Sequence, residues 1–320
     1  MAEYINIRGQ SIEVVASDPA NPTLGQIWYN STSNTLKGEN LGTASWASGN
    51  NMNTGRFYLA GAGTQTASLA FGGYTTAVTG ATEEYDGTSW SASGSMGTGR
   101  EMLAGCGTQA AALAFGGQSP ITGATEEYNG ATWSPSNALN TARRFLAGAG
   151  IQTAGLAFGG FSPGGSTGAT EEYDGTSWAN NPTGLNTARY TLAGTGTQTA
   201  ALAFGGEIGP PTGATEEYNG STWTTSNSLN TVRGQLAAAG TQTAGLAFGG
   251  EPPTGATELY DGTSWTTSPT SMSTGRKGLA GCGTQPAALA FAGTPNGISG
   301  VASTEEWTGA APTTVTITAS

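Results

Sequence analysis

The chain has no histidine, only two cysteines and only ten basic residues among its 320 residues. Without histidine it cannot carry a Ser-His-Asp triad, histidine acid–base catalysis or a histidine-ligated metal. Two isolated cysteines are too few for a zinc site of the usual kind. The net charge of −11 argues against nucleic acid as a partner, because phosphates require clustered Lys and Arg.

Long apolar runs and nucleotide-binding or metal-binding motifs are missing as well. The longest apolar runs, such as residues 200–204, have the length of a strand, so we expect no membrane insertion. The start of the chain has neither a basic n-region nor an apolar h-region, and we expect no signal peptide. No glycine string ends in Gly-Lys-Ser/Thr, and no acidic cluster has calcium-loop spacing. We therefore predict no catalytic residue, no metal and no cofactor. The paired-carboxylate chemistry of glycoside hydrolysis stays open in principle, because Glu207 and Glu251 depart from their repeat equivalents.

A repeat of about 44 residues, rich in glycine, dominates the rest of the sequence. Its core reads Arg, then Leu-Ala-Gly-x-Gly-Thr-Gln-Thr-Ala-x-Leu-Ala-Phe-Gly-Gly, a variable stretch, and Thr-Gly-Ala-Thr-Glu-Glu-Tyr-Asp/Asn-Gly-x-x-Trp. Its six units cover about residues 53–90, 97–133, 140–178, 186–223, 230–265 and 273–307. A period of this length built from short strands is typical of a stacked repeat architecture rather than of independent domains.

Each unit reads as four strands, called a to d. In the first unit they are expected at residues 57–63, 66–71, 81–85 and from 88 onward, with Trp90 in strand d. Asp86-Gly87 and its equivalents predict a two-residue hairpin turn between c and d. Strand b places Leu69 and Phe71 on one face and small residues on the other. We expect the bulky face of one sheet to pack on the small face of its neighbour.

The pattern resembles kelch-type β-propellers, through Gly72-Gly73, Tyr85 and Trp90 and their equivalents. The resemblance implies an all-β, six-bladed propeller of four-stranded antiparallel blades. The last unit lacks the Trp hairpin, and residues 43–46 match strand d, so residues 41–46 and/or 311–320 are expected to complete the last blade. Seven blades remain the alternative, if residues 26–46 form a blade with the C-terminal tail. The predicted domains are an N-terminal hairpin or docking segment at 1–40 and the propeller at 41–320.

Two further sets of repeated residues favour structural roles. Cys106 and Cys282 share a slot that elsewhere accepts alanine, which predicts buried free thiols rather than a disulfide. One arginine and one glutamate recur in every unit: Arg56, Arg100, Arg143, Arg189, Arg233 and Arg276, with Glu83, Glu126, Glu171, Glu216, Glu258 and Glu305. They could form a ring of binding charges, but catalytic groups normally occur once per site, so we favour buried structural ion pairs.

The connections from b to c and from d to a are expected at one end of the stack, and they vary between units. Loops on a rigid scaffold commonly carry recognition. The candidate binding residues are Tyr74, Gln118, Phe161, Glu207 and Glu251. Drift in unconstrained loops is the alternative explanation of this variation.

Residues 25–37, with Gly25, Ile27-Trp28-Tyr29-Asn30 and Leu36-Lys37, read as a hairpin. This module and the Gly/Thr/Ala-rich repeats resemble structural proteins of tailed marine phages. The resemblance implies a non-enzymatic virion protein of the tail, a fibre or the capsid surface, assembled in the host cytoplasm. Its expected partners are other virion proteins, further copies of itself and a host-surface glycan. The alternative is an extracellular bacterial kelch-like lectin or adhesin that binds glycans.

Overall fold

A computed structural model describes residues 12–118 and 120–317. Throughout this range the regular elements are β-strands, which confirms the all-β prediction. Within the same residues no helix is long and apolar enough to cross a membrane. The chain divides into two compact units, one of residues 1–45 with 309–320 and the other of residues 46–308.

The strands follow the repeat. Strands β1–β4 span Glu13–Val15, Ile27–Asn30, Thr35–Leu41 and Ser45–Gly49. The first two repeat units form β5–β8 (Ala60–Thr64, Ala67–Phe71, Thr82–Tyr85, Trp90–Ser93) and β9–β12 (Ala104–Gly107, Ala112–Phe115, Thr125–Tyr128, Trp133–Ser136). The third forms β13–β18 (Ala147–Ile151, Ala154–Phe158, Phe161–Ser162, Gly165–Ser166, Thr170–Tyr173, Trp178–Asn181). The fourth and fifth form β19–β22 (Ala193–Gly196, Ala201–Phe204, Thr215–Tyr218, Trp223–Ser226) and β23–β26 (Ala237–Gly240, Gly245–Phe248, Thr257–Tyr260, Trp265–Thr267). The sixth forms β27–β29 (Ala280–Thr284, Ala287–Phe291, Thr304–Thr308), and the tail forms β30 (Pro312–Thr316).

The smaller unit is one sheet in the order β1-β2-β3-β30. Strands β2 and β3 are the hairpin expected from the sequence, paired from Ile27↔Gly38 to Asn30↔Thr35. The tail strand β30 runs antiparallel to β3, whereas β1 runs parallel to β2. Trp28 is fully buried here, and its indole Nε1 donates to Asp18. The N-terminal segment and the C-terminal tail therefore share a sheet of their own.

The larger unit contains six four-stranded antiparallel sheets, one per repeat, which we number sheets 1 to 6. Sheet 3 also carries the small β15–β16 hairpin in its b–c connection. Each c–d turn is held by its first residue: in sheet 1 the Asp86 carboxylate accepts hydrogen bonds from the backbone N–H groups of Thr88 and Ser89. Asn129 and Asn219 make the same bonds in sheets 2 and 4.

The sheets stack through the two faces of strand b. Leu69 and Phe71 of sheet 1 share a buried cluster with Ala112, Ala114 and Trp133 of sheet 2. The same pattern continues along the chain, and Leu289 and Phe291 of sheet 6 share a cluster with residues of sheet 1. The prediction that bulky faces pack on small ones is confirmed. Such contacts bury both faces of a sheet that would be unstable alone.

Strand β4 lies beside β29 as the fourth strand of sheet 6. Its Trp46 occupies the strand-d position, and its indole Nε1 donates to Thr257 Oγ1 of sheet 5 at 2.9 Å. The equivalent tryptophans in the other sheets donate to the equivalent threonine of the preceding sheet: Trp90 to Thr304, Trp133 to Thr82, Trp178 to Thr125, Trp223 to Thr170 and Trp265 to Thr215. Sheet 6 therefore takes its outer strand from Ser45–Gly49, while Pro312–Thr316 of the tail pairs with β3.

Glutamine and tyrosine provide two more links to the preceding sheet. The a–b turn glutamine donates to two backbone carbonyls there; Gln109, for example, bonds Ser68 O and Tyr85 O. The strand-c tyrosine donates to the second glutamate of the preceding strand c, as Tyr128 does to Glu84. Burial and this glutamate raise the pKa of Tyr128 to about 12. These bonds give the repeated turn glutamine, strand-c tyrosine and second glutamate structural roles.

The link from the strand-c tyrosine to the second glutamate is replaced between sheets 5 and 6, where both residues differ from the repeat. The second glutamate of sheet 5 is replaced by Leu259, and the tyrosine expected to reach it from sheet 6 is replaced by Trp307. Trp307 is fully buried, and its Nε1 donates to Gln285 O instead. A tyrosine here would face no carboxylate acceptor, so the two changes are consistent with each other.

The expectation for strand a was wrong at its start. The sequence predicts this strand from residue 57, but β5 begins at Ala60. Phe57 makes an isolated bridge with Tyr74, and Tyr58 has a positive φ of 56°, which interrupts extended backbone. The two cysteines are free and buried, as predicted. Burial raises the pKa of each thiol to about 12.

Ala292 provides a stability prediction. It occupies the slot of the first glycine of the Gly-Gly pair, and it shares that glycine's positive φ, at 61°. An L-residue pays a conformational cost of about 1–2 kcal/mol in this region, which glycine avoids. We expect Ala292→Gly to raise the free energy of unfolding by about 1 kcal/mol, measured by urea denaturation. Ala290→Gly, in extended strand β28, should lower it, and equal effects of the two substitutions would contradict the explanation.

Candidate functional site

The repeated arginine and glutamate pair within each sheet. The six Nη–Oε1 distances lie between 2.5 and 3.1 Å, and all six arginine side chains are 0% exposed. In sheet 1, Arg56 also donates to Gly72 O and Ala81 O, and Glu83 accepts from the backbone of Asn53. Burial lowers the pKa of Arg143 to about 10, against the opposing effect of Glu171. These pairs fix the d–a connection to strands b and c, and they lie almost entirely out of contact with solvent.

The two residues that follow each repeated arginine lie at the end of the larger unit where the variable b–c loops are found. The first of them forms an isolated bridge to the first residue of the b–c connection. We call these bridges the rim pairs: Phe57–Tyr74, Glu101–Gln118, Arg144–Phe161, Tyr190–Glu207, Gly234–Glu251 and Lys277–Thr294. All five candidates from the sequence, Tyr74, Gln118, Phe161, Glu207 and Glu251, belong to rim pairs. The b–c and d–a connections therefore share one end, as expected.

The second residue after each arginine forms what we call the axial ring: Tyr58, Met102, Phe145, Thr191, Gln235 and Gly278. Their backbones are joined by six hydrogen bonds of 2.8–2.9 Å, each N–H donating to the carbonyl of the preceding sheet. The series begins in sheet 2, where Met102 N–H donates to Tyr58 O of sheet 1. It continues sheet by sheet to sheet 6, where Gly278 N–H donates to Gln235 O of sheet 5. Tyr58 N–H donates in turn to Gly278 O, so the series returns to its start. The ring brings one residue of every repeat to a common centre.

Sequence reasoning missed the axial ring, although a signal was present. The arginine before these slots and the leucine after them occur in all six units, whereas both slots hold six different residues. Every ring residue has a positive φ, between 53° and 59°. That conformation favours glycine, yet five of the six are not glycine, and Thr191 is β-branched. Strained backbone of this kind is a recognised feature of functional sites.

Tyr58 lies across the centre of the ring. Its hydroxyl donates to Gln235 Oε1 of sheet 5 at 2.9 Å, and its ring packs edge-on against Phe145 of sheet 3 at 5.4 Å. A Cβ on Gly278 would stand 2.9 Å from the Tyr58 ring, so glycine leaves the room that the ring needs. Residues from three other sheets thus hold one phenol at the mouth of the ring.

Six aromatic residues of the larger unit fall outside the repeated aromatic slots, and all six lie at this end. Their rings contact in series, with centroids 5.0–6.2 Å apart, in the order Tyr74, Phe57, Tyr58, Phe145, Tyr190 and Phe161. Apart from Phe57, which is buried, the rings are partly exposed. We call this series the aromatic chain. Partly exposed aromatic rings with polar tips are typical of recognition surfaces.

Charged rim residues surround the aromatic chain. Lys277 Nζ pairs with Glu251 Oε2 at 2.5 Å, and Arg144 donates to Gln118 Oε1. Burial raises the pKa of Glu101, against the opposing effect of Arg144. Burial, and after it the charges of Glu101, Glu207 and Glu251, raises the pKa of Tyr58. Among the described residues no group of three or more His, Cys, Asp or Glu could hold a metal ion.

The raised pKa of Glu101 predicts a stability gain on neutralisation. A carboxyl whose folded pKa is raised stabilises the fold below its unfolded pKa, and this contribution is lost as pH rises through the folded pKa. We therefore expect Glu101→Gln to raise Tm at pH 7 by on the order of 1 °C, with the gain vanishing near pH 4. Asp86→Asn is the matched control, because hydrogen bonds from Ser89 and Thr88 lower the pKa of Asp86. It should give no gain at pH 7, and a gain there equal to that of Glu101→Gln would contradict the assignment.

Comparison with known proteins places the fold only. No family model and no curated protein sequence matches the chain. A solved structure, described as the structure of YjhT, aligns with a TM-score of 0.66 at 13% identity, and the alignment covers 80% of this chain and 95% of that one. The chain therefore has a β-propeller-like repeat fold of four-stranded antiparallel sheets. At this identity the likeness extends to fold and not to function.

Proposed function

We propose that this chain is a non-enzymatic structural protein of a phage virion, from the tail, a fibre or the capsid surface. Its larger unit acts as a six-bladed kelch-like propeller, completed by β4, which presents its variable end to a partner. One observation carries the binding role: near-identical repeats differ at the axial ring and rim pairs, and both lie at the same end. A rigid scaffold with one varied surface is the usual arrangement of a recognition module.

Other features support parts of this proposal. The cycle of ring hydrogen bonds and the contact of sheet 6 with sheet 1 support six blades. The opposite end carries nearly identical a–b and c–d turns, which suits a scaffold role. The residues at the variable end are a phenol, aromatic rings, amides and separate carboxylates, a set suited to binding. The phage resemblance of residues 25–37 supports the virion.

Cryo-EM of native particles from the source sample tests the proposal. We expect an ordered disc of six sheets on the tail or capsid surface, with the aromatic chain covered by a partner or facing the host. Particles without this density, together with free monomers in the same sample, would reject the virion assignment and favour the glycan-binding lectin or adhesin. A disc docked through its a–b turns, with the aromatic chain bare and indifferent to host extracts, would reject the variable end as the binding surface.

A further inference from the structure

The axial ring lines a cavity of about 90 Å³, together with the six leucines that follow its members. The same six leucines also line a second cavity of about 110 Å³, so the space continues inward from the mouth and can take up a narrow, extended group such as a side chain. Thr191 lines it, is only 5% exposed, and its Oγ1 has no hydrogen-bond partner within the protein. This oxygen lies toward Gly234 and Glu207, so an unpartnered polar atom stands at the rim of the mouth, which is unfavourable in the free protein.

The mouth already holds one cation on aromatic rings. The Arg144 guanidinium lies 5.5 Å from the Phe145 centroid and 5.4 Å from that of Phe161. Within the described residues no cation lies over the second aromatic pair, Phe57 and Tyr58. Tyr58 is also the ring on which the charges of three rim glutamates act. Of these glutamates, Glu251 is already paired with Lys277, whereas Glu101 and Glu207 form no salt bridge among the described residues, so a further cation beside Tyr58 has two carboxylates to pair with.

Glu101 points to the same kind of ligand. It is partly buried, and among the described residues it forms no salt bridge, although Arg144 is close enough to act on it. The two basic residues of the rim pairs already have partners, since Arg144 donates a hydrogen bond to Gln118 and Lys277 forms a salt bridge with Glu251. A partly buried carboxylate without an ion-pair partner is unfavourable in the free protein and becomes favourable when a cation binds it.

We propose that the axial mouth binds the side-chain cation of an arginine or lysine presented by a protein partner, at Tyr58 and Glu101. This inference rests on the binding role proposed for the variable end and adds the chemistry of the partner. The cation lies over the Tyr58 ring and donates to the Glu101 carboxylate. Apolar residues beside it on the partner cover the aromatic chain.

Met102 provides a direct reporter, because it belongs to the axial ring. We would label the methionine methyl groups with ¹³C and titrate the whole protein with peptides that differ only in a central Arg, Lys, citrulline or Leu. Met52, Met96 and Met272 are 3–5% exposed between sheets and serve as internal references. We expect Arg or Lys peptides to shift the Met102 methyl signal saturably, and the neutral citrulline peptide to bind about tenfold more weakly.

Matched variants test whether Glu101 and Tyr58 are the residues that bind the peptide cation. Glu101→Gln should weaken the Arg peptide about tenfold, while Asp86→Asn, which removes the same charge at the other end, should not change it. Tyr58→Met places at this slot the residue that sheet 2 already carries there, and it should also weaken binding without loss of fold. Equal binding of Arg and citrulline peptides, or no shift at millimolar peptide, would overturn the cation proposal. A neutral oligosaccharide that alone shifts Met102 would overturn it too, while leaving the binding role of this end intact.

Discussion

Replacing Glu171 by glutamine is expected to lower the free energy of unfolding by about 3–5 kcal/mol. Arg143 and Glu171 are both 0% exposed, and their Nη2–Oε1 distance is 3.1 Å. Glu171 also accepts hydrogen bonds from the backbone and side chain of Asn140. The amide of glutamine can accept these bonds, but it leaves the Arg143 charge buried without a counter-ion. That uncompensated charge, and not the lost contact, accounts for the size of the effect.

The neighbouring Glu172 is the matched control. It lies on the same strand, β17, but accepts from the Tyr218 hydroxyl and from Asn181, where the oxygen of an amide can still accept. Glu172→Gln should cost no more than about 1.5 kcal/mol. Urea denaturation followed by tryptophan fluorescence would measure both variants. Equal losses from the two substitutions would show that the buried charge at Arg143 does not dominate.

The strands of each sheet and the way the sheets pack could be predicted, because the signals for both lie within a single repeat or in the comparison of one repeat with another. Asp86-Gly87 marks a turn, strand b alternates bulky and small residues, and Trp46 matches the tryptophan missing from the last unit. These signals depend on neighbours in sequence or on comparison between units. Packing of Leu69 on the small face of the next sheet follows from them directly.

The site could be predicted only in part. Variation pointed to the b–c loops, and so to Tyr74 and Phe161, because loops of different length are visible in the sequence. The axial ring could not be predicted, because the number of residues at its positions is the same in every repeat and the sequence predicts them to lie within strand a. Only the positive φ of Tyr58 and its neighbours separates these residues from the strand. Which side chains meet there depends on the backbone hydrogen bonds that join ring residues of different repeats, and no single repeat encodes these bonds.

Replacing Trp46 by alanine is expected to lower the free energy of unfolding of the larger unit by about 3 kcal/mol. Trp46 belongs to the N-terminal strand β4, yet its ring packs on Phe248 at 5.1 Å and on Trp307 at 5.3 Å. Its Nε1 bond to Thr257 would also be lost. The loss should fall at the low end of the range for large aromatic residues, because Trp46 is partly exposed.

Trp223→Ala gives the reference, because Trp223 makes the equivalent hydrogen bond in sheet 4 and is only 5% exposed. We expect it to cost up to about 5 kcal/mol, more than Trp46→Ala. Ser48→Ala, at an exposed position of β4, should stay within about 0.5 kcal/mol of the parent protein. Calorimetry would follow all three variants. If Trp46→Ala behaved like Ser48→Ala, β4 would not be an integral strand of sheet 6. The expected loss of about 3 kcal/mol, in a single transition shared with the repeats, would show that β4 belongs to the same cooperative unit, since stacked sheets share their stability with their neighbours.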